Sequence, residues 1–210
     1  MRSENEYFQT LTEEQLWQRY CGFLDLSVAE FMEIQRELLL DQIDRVADST
    51  LGKKIMGNRK PESIEDFRKT VPITTFEDYD PYLSEKQEDA LAIKPYTWCH
   101  SSGRGGRYKW IPHGEEFLEK ATQCVLGTVI LASTKQRGSV NVEPGLKCLM
   151  LLPPPPYVSG TLFEIVTQAF TIDDIMRSDQ VRGKDFMERA SSGFQVAFKE
   201  NVRSEERRVG

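Results

Sequence analysis

The residues best suited to chemistry lie close together between positions 101 and 109. Three glycines there, Gly103, Gly105 and Gly106, permit positive φ angles and carry no Cβ, so successive backbone N–H groups can converge on one anion. The side-chain donors of this segment are two hydroxyls and three cations: Ser101, Ser102, Arg104, Arg107 and Lys109. Hydroxyl, guanidinium and ammonium groups all bind phosphoryl oxygens. The composition therefore predicts a loop that binds a polyphosphate.

Two segments with strand character flank this loop. Ring-bearing side chains at positions 96, 98 and 100 alternate with Thr97 and Cys99, and residues 108–111 form a second β-prone run. The loop matches neither the P-loop pattern nor the Rossmann fingerprint, because Tyr108 stands where the last glycine of the fingerprint would be. An exposed hairpin turn with solvated cations contains the same residue types. Both interpretations stay open on composition alone.

The loop resembles the glycine-rich phosphate loop of adenylate-forming enzymes, the superfamily of acyl-CoA synthetases and firefly luciferase. The pattern of that loop is S-S-G-T-T-G-K-P-K, and five positions are identical here: Ser101, Ser102, Gly103, Gly106 and Lys109. Arg107 replaces a lysine conservatively. Arg104 and Gly105 stand where the family has hydroxyl side chains, and Tyr108 stands at its proline. The resemblance implies that residues 101–109, including Arg104, Gly105 and Arg107, bind the phosphates of ATP.

A second segment, residues 64–83, resembles a run found in the GH3 auxin-responsive branch and its bacterial relatives, F-R-x-x-V-P-I-x-T-Y-E-D-Y-x-P-Y-L. Phenylacetate-CoA ligases carry a looser version of it. In those families the run lies shortly before the phosphate loop, as it does here, and residues 152–160 fit the same region. The resemblance implies an α/β fold: the N-terminal part of an adenylate-forming enzyme, with a helical N-terminus followed by a mixed sheet and flanking helices.

The activity implied by this resemblance is that of an acyl-adenylate-forming ligase. ATP and a small carboxylic acid give an acyl-adenylate and pyrophosphate, and the acyl group then passes to coenzyme A or to an amine. ATP and Mg²⁺ are the expected cofactors, because the chemistry neutralises charge on the triphosphate. No catalytic residue is assigned. The alternative is a non-catalytic α/β interaction module whose glycine-rich hairpin turn binds a phosphorylated partner or nothing.

Composition excludes several other functions. The chain has 27 Lys and Arg against 33 Asp and Glu, a net charge of −6 that argues against sequence-independent binding of nucleic acid. Its four cysteines are widely spaced and it has only two histidines, so no zinc-ligand spacing occurs and no metal site is expected. Adjacent strand residues point to opposite faces, which argues against Cys99 and His100 as a nucleophile and base. Without a signal peptide or membrane span, a reduced cytoplasmic protein is expected.

Helix-start signals organise the N-terminal half. Capping boxes at Thr12–Gln15 and Ser27–Glu30 predict two antiparallel helices, the second ending near residues 51–52. The second helix carries a mostly one-sided apolar stripe: Val28, Phe31, Met32, Leu38, Leu39, Ile43 and Val46. We expect this stripe to pack into the core, with a partner-binding face as the alternative. A solvated basic linker is expected over residues 53–60, with short helices beginning near Ser63 and Thr75.

The C-terminal half predicts alternating helices and strands. Residues 115–133 read as a long helix with five inward side chains: Phe117, Leu118, Ala121, Val125 and Val129. Residues 146–152 predict a strand buried on both faces, and prolines 153–156 end it as a rigid loop rather than as a polyproline ligand. Residues 161–170 fit a strand or a helix, and residues 185–199 fit a helix.

The resemblance also implies that more of the enzyme is needed. In the family, the adenine site, the ribose-binding aspartate and the mobile lid with its catalytic lysine lie well downstream of the loop, and nothing in these 210 residues corresponds to them. We therefore expect residues 1–202 to be an incomplete N-terminal domain. We expect residues 203–210 to be a disordered tail, and we interpret that tail as non-native.

The 210-residue chain is accordingly expected to lack adenylation activity, because it has no counterpart of the lid or of the adenine site. The measurement is carboxylate-dependent exchange of pyrophosphate into ATP by the purified chain. Exchange above the rate seen without a carboxylic acid would contradict this expectation.

Overall fold

The structure, a computed structural model, describes residues 3–101, 107–149 and 152–176. The described residues divide into two compact units, the first drawn from those before position 21 and after position 117, and the second from those between them. In these ranges no helix combines the length and the hydropathy needed to cross a bilayer. The predicted helix at 185–199 and the predicted tail at 203–210 lie outside the described residues.

Helices make up most of the described chain. In order they are α1 (Glu4–Thr10), α2 (Glu13–Cys21), α3 (Val28–Ala47), α4 (Thr50–Met56), α5 (Ile64–Thr70), α6 (Glu115–Ser133) and α7 (Val158–Ala169). Short 3-10 helices cover Gly22–Asp25, Phe76–Tyr79 and Glu88–Ala90. The strands are β1 (Thr97–His100), β2 (Trp110–His113), β3 (Leu146–Leu149) and β4 (Ile172–Met176). Helices combined with small sheets confirm the predicted α/β class.

The first unit contains a parallel pair of strands. Strands β3 and β4 pair in parallel, and α7 forms the crossover that parallel neighbours require. This explains why residues 161–170, which fit either a strand or a helix in sequence, are helical. The proline run approaches this helix closely, because a Cβ at Gly160 would lie 2.0 Å from the carbonyl oxygen of Pro153. The predicted strand 146–152 is present as β3, Leu146–Leu149; residues 150–151 lie outside the described ranges, and Leu152 is not part of a strand.

Helix α6 has the predicted bounds but a different buried face. Its buried positions recur every four residues, at Leu118, Thr122, Leu126 and Ile130. The prediction that Phe117 points inward is wrong, since its side chain is 47% exposed. Thr122 broke the apolar pattern in sequence, yet its hydroxyl donates to the carbonyl oxygen of Leu118 and is therefore accommodated in the core.

The N-terminal helices of the first unit are held by polar contacts. The predicted capping box forms, since the Thr12 N–H donates to Gln15 Oε1 (3.0 Å) and the Gln15 N–H donates to Thr12 Oγ1 (3.3 Å). Helix α1 had no clear signal in sequence. Its Asn5 side chain accepts from the Thr171 N–H (3.0 Å) and donates to the Thr171 hydroxyl (2.8 Å). The two ends of the described chain thus meet in one unit.

A buried ionic cluster lies beneath these helices. The Glu4 carboxylate, 6% exposed, accepts hydrogen bonds from the Tyr20 hydroxyl and from Arg19 Nη2 (3.2 Å). The Arg19 guanidinium lies 3.7 Å above the centre of the Tyr7 ring. Burial, together with the hydrogen bond to Glu4, raises the pKa of Tyr20 well above its ordinary value. Tyr20 therefore stays neutral and donates to Glu4.

In the second unit, the predicted long helix is two helices. The Ser27–Glu30 capping box starts α3, but Ser49 starts a new helix by accepting the Gly52 N–H at its Oγ (2.9 Å). Gly52 makes the break possible, because a Cβ there would lie 1.7 Å from the carbonyl oxygen of Val46. The prediction of a basic linker over 53–60 is therefore wrong for residues 53–56, which belong to α4.

The apolar stripe of α3 is buried along part of its length. Ile43 is 2% exposed, whereas Val28, Met32 and Leu38 are 80%, 54% and 56% exposed, so core packing of the whole stripe was a wrong prediction. The C-terminal half of α3 faces residues of α4 and α5 across a shared apolar cavity. Its N-terminal half has no comparable cover from the described residues.

The two short helices predicted after residue 60 are present. Ser63 Oγ accepts the Asp66 N–H (3.1 Å) at the start of α5. The Asp78 carboxylate accepts from the Thr75 N–H (2.6 Å) and from its hydroxyl (3.2 Å), which starts the 3-10 helix at Phe76. Local capping therefore sets the position of residues 76–79.

Substituting Gly52 by alanine is expected to lower the free energy of unfolding by about 2 kcal/mol, because the new methyl group meets backbone that cannot move aside. The matched control is Gly114→Ala, where the Cβ comes within 2.5 Å of Ile93 Cδ1, the end of a flexible and half-exposed side chain. Urea unfolding measures both. Equal losses in the two variants would contradict the close approach of α3 and α4.

Tyr20→Phe is expected to lower the free energy of unfolding by about 1–3 kcal/mol near neutral pH, because the buried Glu4 carboxylate loses a donor. The pKa of Tyr20 is raised in the folded state, so this contribution is complete below the ordinary pKa of 10 and is lost as the pH rises through the folded-state pKa. Urea unfolding should show the difference in unfolding free energy between wild type and Tyr20→Phe becoming smaller above pH 10. Tyr96→Phe, at a residue 56% exposed, is the control. A gap of constant size would count against a neutral buried Tyr20.

Candidate functional site

The candidate loop closes the end of a two-stranded hairpin. Strands β1 and β2 are antiparallel, with Thr97 opposite His113 and His100 opposite Trp110. Beyond the last pair, the Ser101 N–H donates to the Lys109 carbonyl (3.0 Å) and the Lys109 N–H donates to Ser101 Oγ (3.2 Å). The prediction that the loop joins two strands is confirmed. Residues 102–106, which include Ser102, Gly103, Arg104, Gly105 and Gly106, lie outside the described residues.

The two described cations of the loop lie against the 3-10 helix Phe76–Tyr79. Arg107 Nη2 donates to Asp80 Oδ2 (3.0 Å) and to Glu77 Oε1 (3.3 Å). The centre of the Phe76 ring is 5.7 Å from the Arg107 guanidinium carbon and 5.5 Å from Lys109 Nζ. The structure therefore brings Arg107 and Lys109 together on one aromatic ring, with two carboxylates beside them.

Residues 74–80 are themselves held from several directions. The Tyr79 hydroxyl is 2.8 Å from Thr74 Oγ1, and Lys54 Nζ donates to the Asp80 carbonyl oxygen (3.0 Å). The pKa of Glu77 is lowered, first by a hydrogen bond from its own backbone N–H and to a smaller extent by Arg107 and Lys109. Glu77 is thus ionised and the surface that receives Arg107 is anionic.

One face of the hairpin is aromatic. The His100 ring lies 4.3 Å from the Tyr108 ring and 5.1 Å from the Trp110 ring, measured between centroids. Its Nδ1–H donates to the Ser101 carbonyl oxygen (2.9 Å), and Lys86 Nζ lies 3.4 Å from the Trp110 centroid. His100 therefore stabilises the closed end of the hairpin. This role differs from that of a general base for the buried Cys99.

Sequence reasoning found the loop but missed the residues around it. Glu77 and Asp80 were part of the recognised run at 64–83, yet nothing local indicated that they would pair with Arg107. Lys86 and Phe76 were not singled out either. The one signal in the sequence for this pairing was the spacing of Glu77 and Asp80, two carboxylates three residues apart at a capped turn.

A separate apolar cavity of about 410 Å³ occurs in the same unit. It is formed mainly by the C-terminal half of α3, by α4, by residues 91–93 and by Pro112, and none of the described loop residues, Ser101 and 107–109, lines it. Over the described ranges, no three His, Cys, Asp or Glu side chains are grouped as ligands for a metal ion. The described donors of the loop are thus suited to an anion.

Comparison with known proteins identifies a family for most of this chain. The sequence profile of the GH3 family N-terminal domain matches residues 22–181, which is more than half of the chain. The match includes the run at 64–83, the hairpin and the β3–α7–β4 unit. A search of curated proteins finds no match to this chain. The profile match confirms the resemblance found from the two motifs, and the chain belongs to the GH3 family.

Proposed function

We propose that this chain supplies the phosphate-binding part of an ATP-dependent ligase that activates a small carboxylic acid as its acyl-adenylate and passes the acyl group to coenzyme A or to an amine. The observation that carries the proposal is the closed hairpin end at Ser101 and Lys109. It places a hydroxyl, an ammonium group and a guanidinium group at one loop within the region that matches the GH3 family.

The chemistry of the described donors fits phosphate. Ser101 Oγ accepts the Lys109 N–H, so the hydroxyl hydrogen is directed elsewhere and can be donated to a phosphoryl oxygen. Lys109 contributes a compact positive charge on the other side of the same backbone pair. In the proposal the rest of the loop, Ser102 to Gly106, adds backbone N–H groups and the charge of Arg104.

The residues around the loop are compatible with a Mg²⁺ ion that is held mainly by the phosphates of ATP. Two carboxylates that contact the loop, those of Glu77 and Asp80, are paired with Arg107. Magnesium is commonly held by substrate phosphates and water with only one or two protein carboxylates. Bound in this way, the ion would neutralise charge on the triphosphate during displacement at the α-phosphate. This chain's own part is to fix the phosphates with Ser101, Arg107 and Lys109.

Replacing Lys109 by alanine is expected to weaken ATP binding by about tenfold or more, because a hydrogen bond to a charged group is worth roughly 1.5–3 kcal/mol. Ser101→Ala should weaken it as well, through loss of the hydroxyl. Lys94→Ala is the matched control, since it removes the same charge from an exposed position that precedes the hairpin. Calorimetric titration with MgATP measures each dissociation constant. Unchanged affinity in both loop variants would favour the non-catalytic hairpin module.

A further inference from the structure

Arg107 pairs with two carboxylates, those of Glu77 and Asp80, which differ in exposure and in distance. Glu77 is 65% exposed and accepts from Arg107 at 3.3 Å, whereas Asp80 is 27% exposed and accepts at 3.0 Å. Exposed ion pairs stabilise proteins little, and partly buried ones are screened less by water. Asp80 is therefore the partner that mainly determines where the guanidinium lies.

The Asp80 carboxylate is held at some cost. Its Oδ1 is buried and makes no hydrogen bond within the described part of the chain, while Oδ2 accepts from Arg107. A buried acceptor without a hydrogen-bond donor destabilises the folded state. The segment is nevertheless fixed by the Thr75–Asp78 cap and by Lys54, which donates to the Asp80 carbonyl oxygen. A rigid support thus keeps one carboxylate against one guanidinium.

The guanidinium keeps further donors in this arrangement. Both carboxylates contact Nη2, and a guanidinium has five N–H groups in a fixed planar fork, with others on Nε and Nη1. A fork binds phosphate well only when it is oriented. Asp80 Oδ2 holds one amino group of the fork at 3.0 Å, and the centre of the Phe76 ring lies 5.7 Å from the guanidinium carbon.

We propose that Asp80 is a positioning residue for phosphate binding: its carboxylate orients Arg107 so that the other N–H groups of the guanidinium meet phosphates bound beside Ser101 and Lys109. This inference rests on the proposed function. It makes a prediction opposite to simple electrostatics, in which removing a carboxylate near an anion site strengthens anion binding.

The test measures binding of MgATP and of inorganic tripolyphosphate to the 210-residue chain by calorimetry. Asp80→Asn is expected to lower the affinity for both ligands by about threefold or more, because the guanidinium is then mobile and must be ordered on binding. Asp80→Glu should retain more affinity than Asp80→Asn. Asp89→Asn, which removes an exposed carboxylate elsewhere in the same unit, should not weaken binding. Far-ultraviolet circular dichroism checks that each variant is folded.

A double-mutant cycle separates positioning from a general structural effect. In an Arg107→Gln background, Asp80→Asn should cause no further loss, because Asp80 acts through Arg107. The inference would be overturned if Asp80→Asn lowered the affinity equally with and without Arg107, or if it raised the affinity. In either case, binding of MgATP by the wild-type chain would leave the proposed function standing. Failure of the wild-type chain to bind either ligand would instead reject the phosphate-binding function, and the positioning role with it.

Discussion

The ion pair of Arg107 with Glu77 and Asp80 joins segments that lie 30 and 27 residues apart in sequence. A two-stranded ribbon is marginally stable in water by itself, and this pair is one of the contacts, with Lys86 over Trp110 and Pro112 at the apolar cavity, that hold the hairpin to its unit. The pair places the C-terminal side of the loop on a turn that capping has already ordered. The Phe76 ring extends the same contact to Lys109. The geometry of the candidate site thus depends on residues outside the loop, Phe76, Glu77 and Asp80, that contact its cations.

Most of the fold that sequence predicted correctly is encoded locally. Ser27 with Glu30, and Thr75 with Asp78, satisfy backbone donors within one turn, so their residue types suffice to locate a helix start. The break at Gly52 was missed because it depends on the approach of Val46 from the preceding helix. The burial of α3 and the buried face of α6 were also mispredicted, because the amphipathic pattern does not say which neighbours cover it.

The features of the candidate site that are encoded locally were also predicted from sequence, and those set by tertiary contacts were not. Glycines, hydroxyls and cations in nine consecutive residues indicated an anion loop without any knowledge of the fold. The antiparallel pairing that closes it followed from the flanking β-prone runs. Asp80 could not be chosen as a partner of Arg107, because its sequence neighbourhood describes a turn and the pairing is set by tertiary structure. His100 was considered for chemistry, and its ring instead caps the hairpin end through the Ser101 carbonyl.

The division of the first unit between the two ends of the described chain has a consequence for biosynthesis. Helices α1 and α2 are translated before the second unit, but their contacts in α6, in α7 and at Thr171 are translated only after it. At about 5–20 residues per second, the nascent helices wait on the order of 5–20 s for those partners. During that interval the second unit can fold alone, while Trp17 and Tyr20, which are buried in the complete first unit, lack the C-terminal residues that cover them.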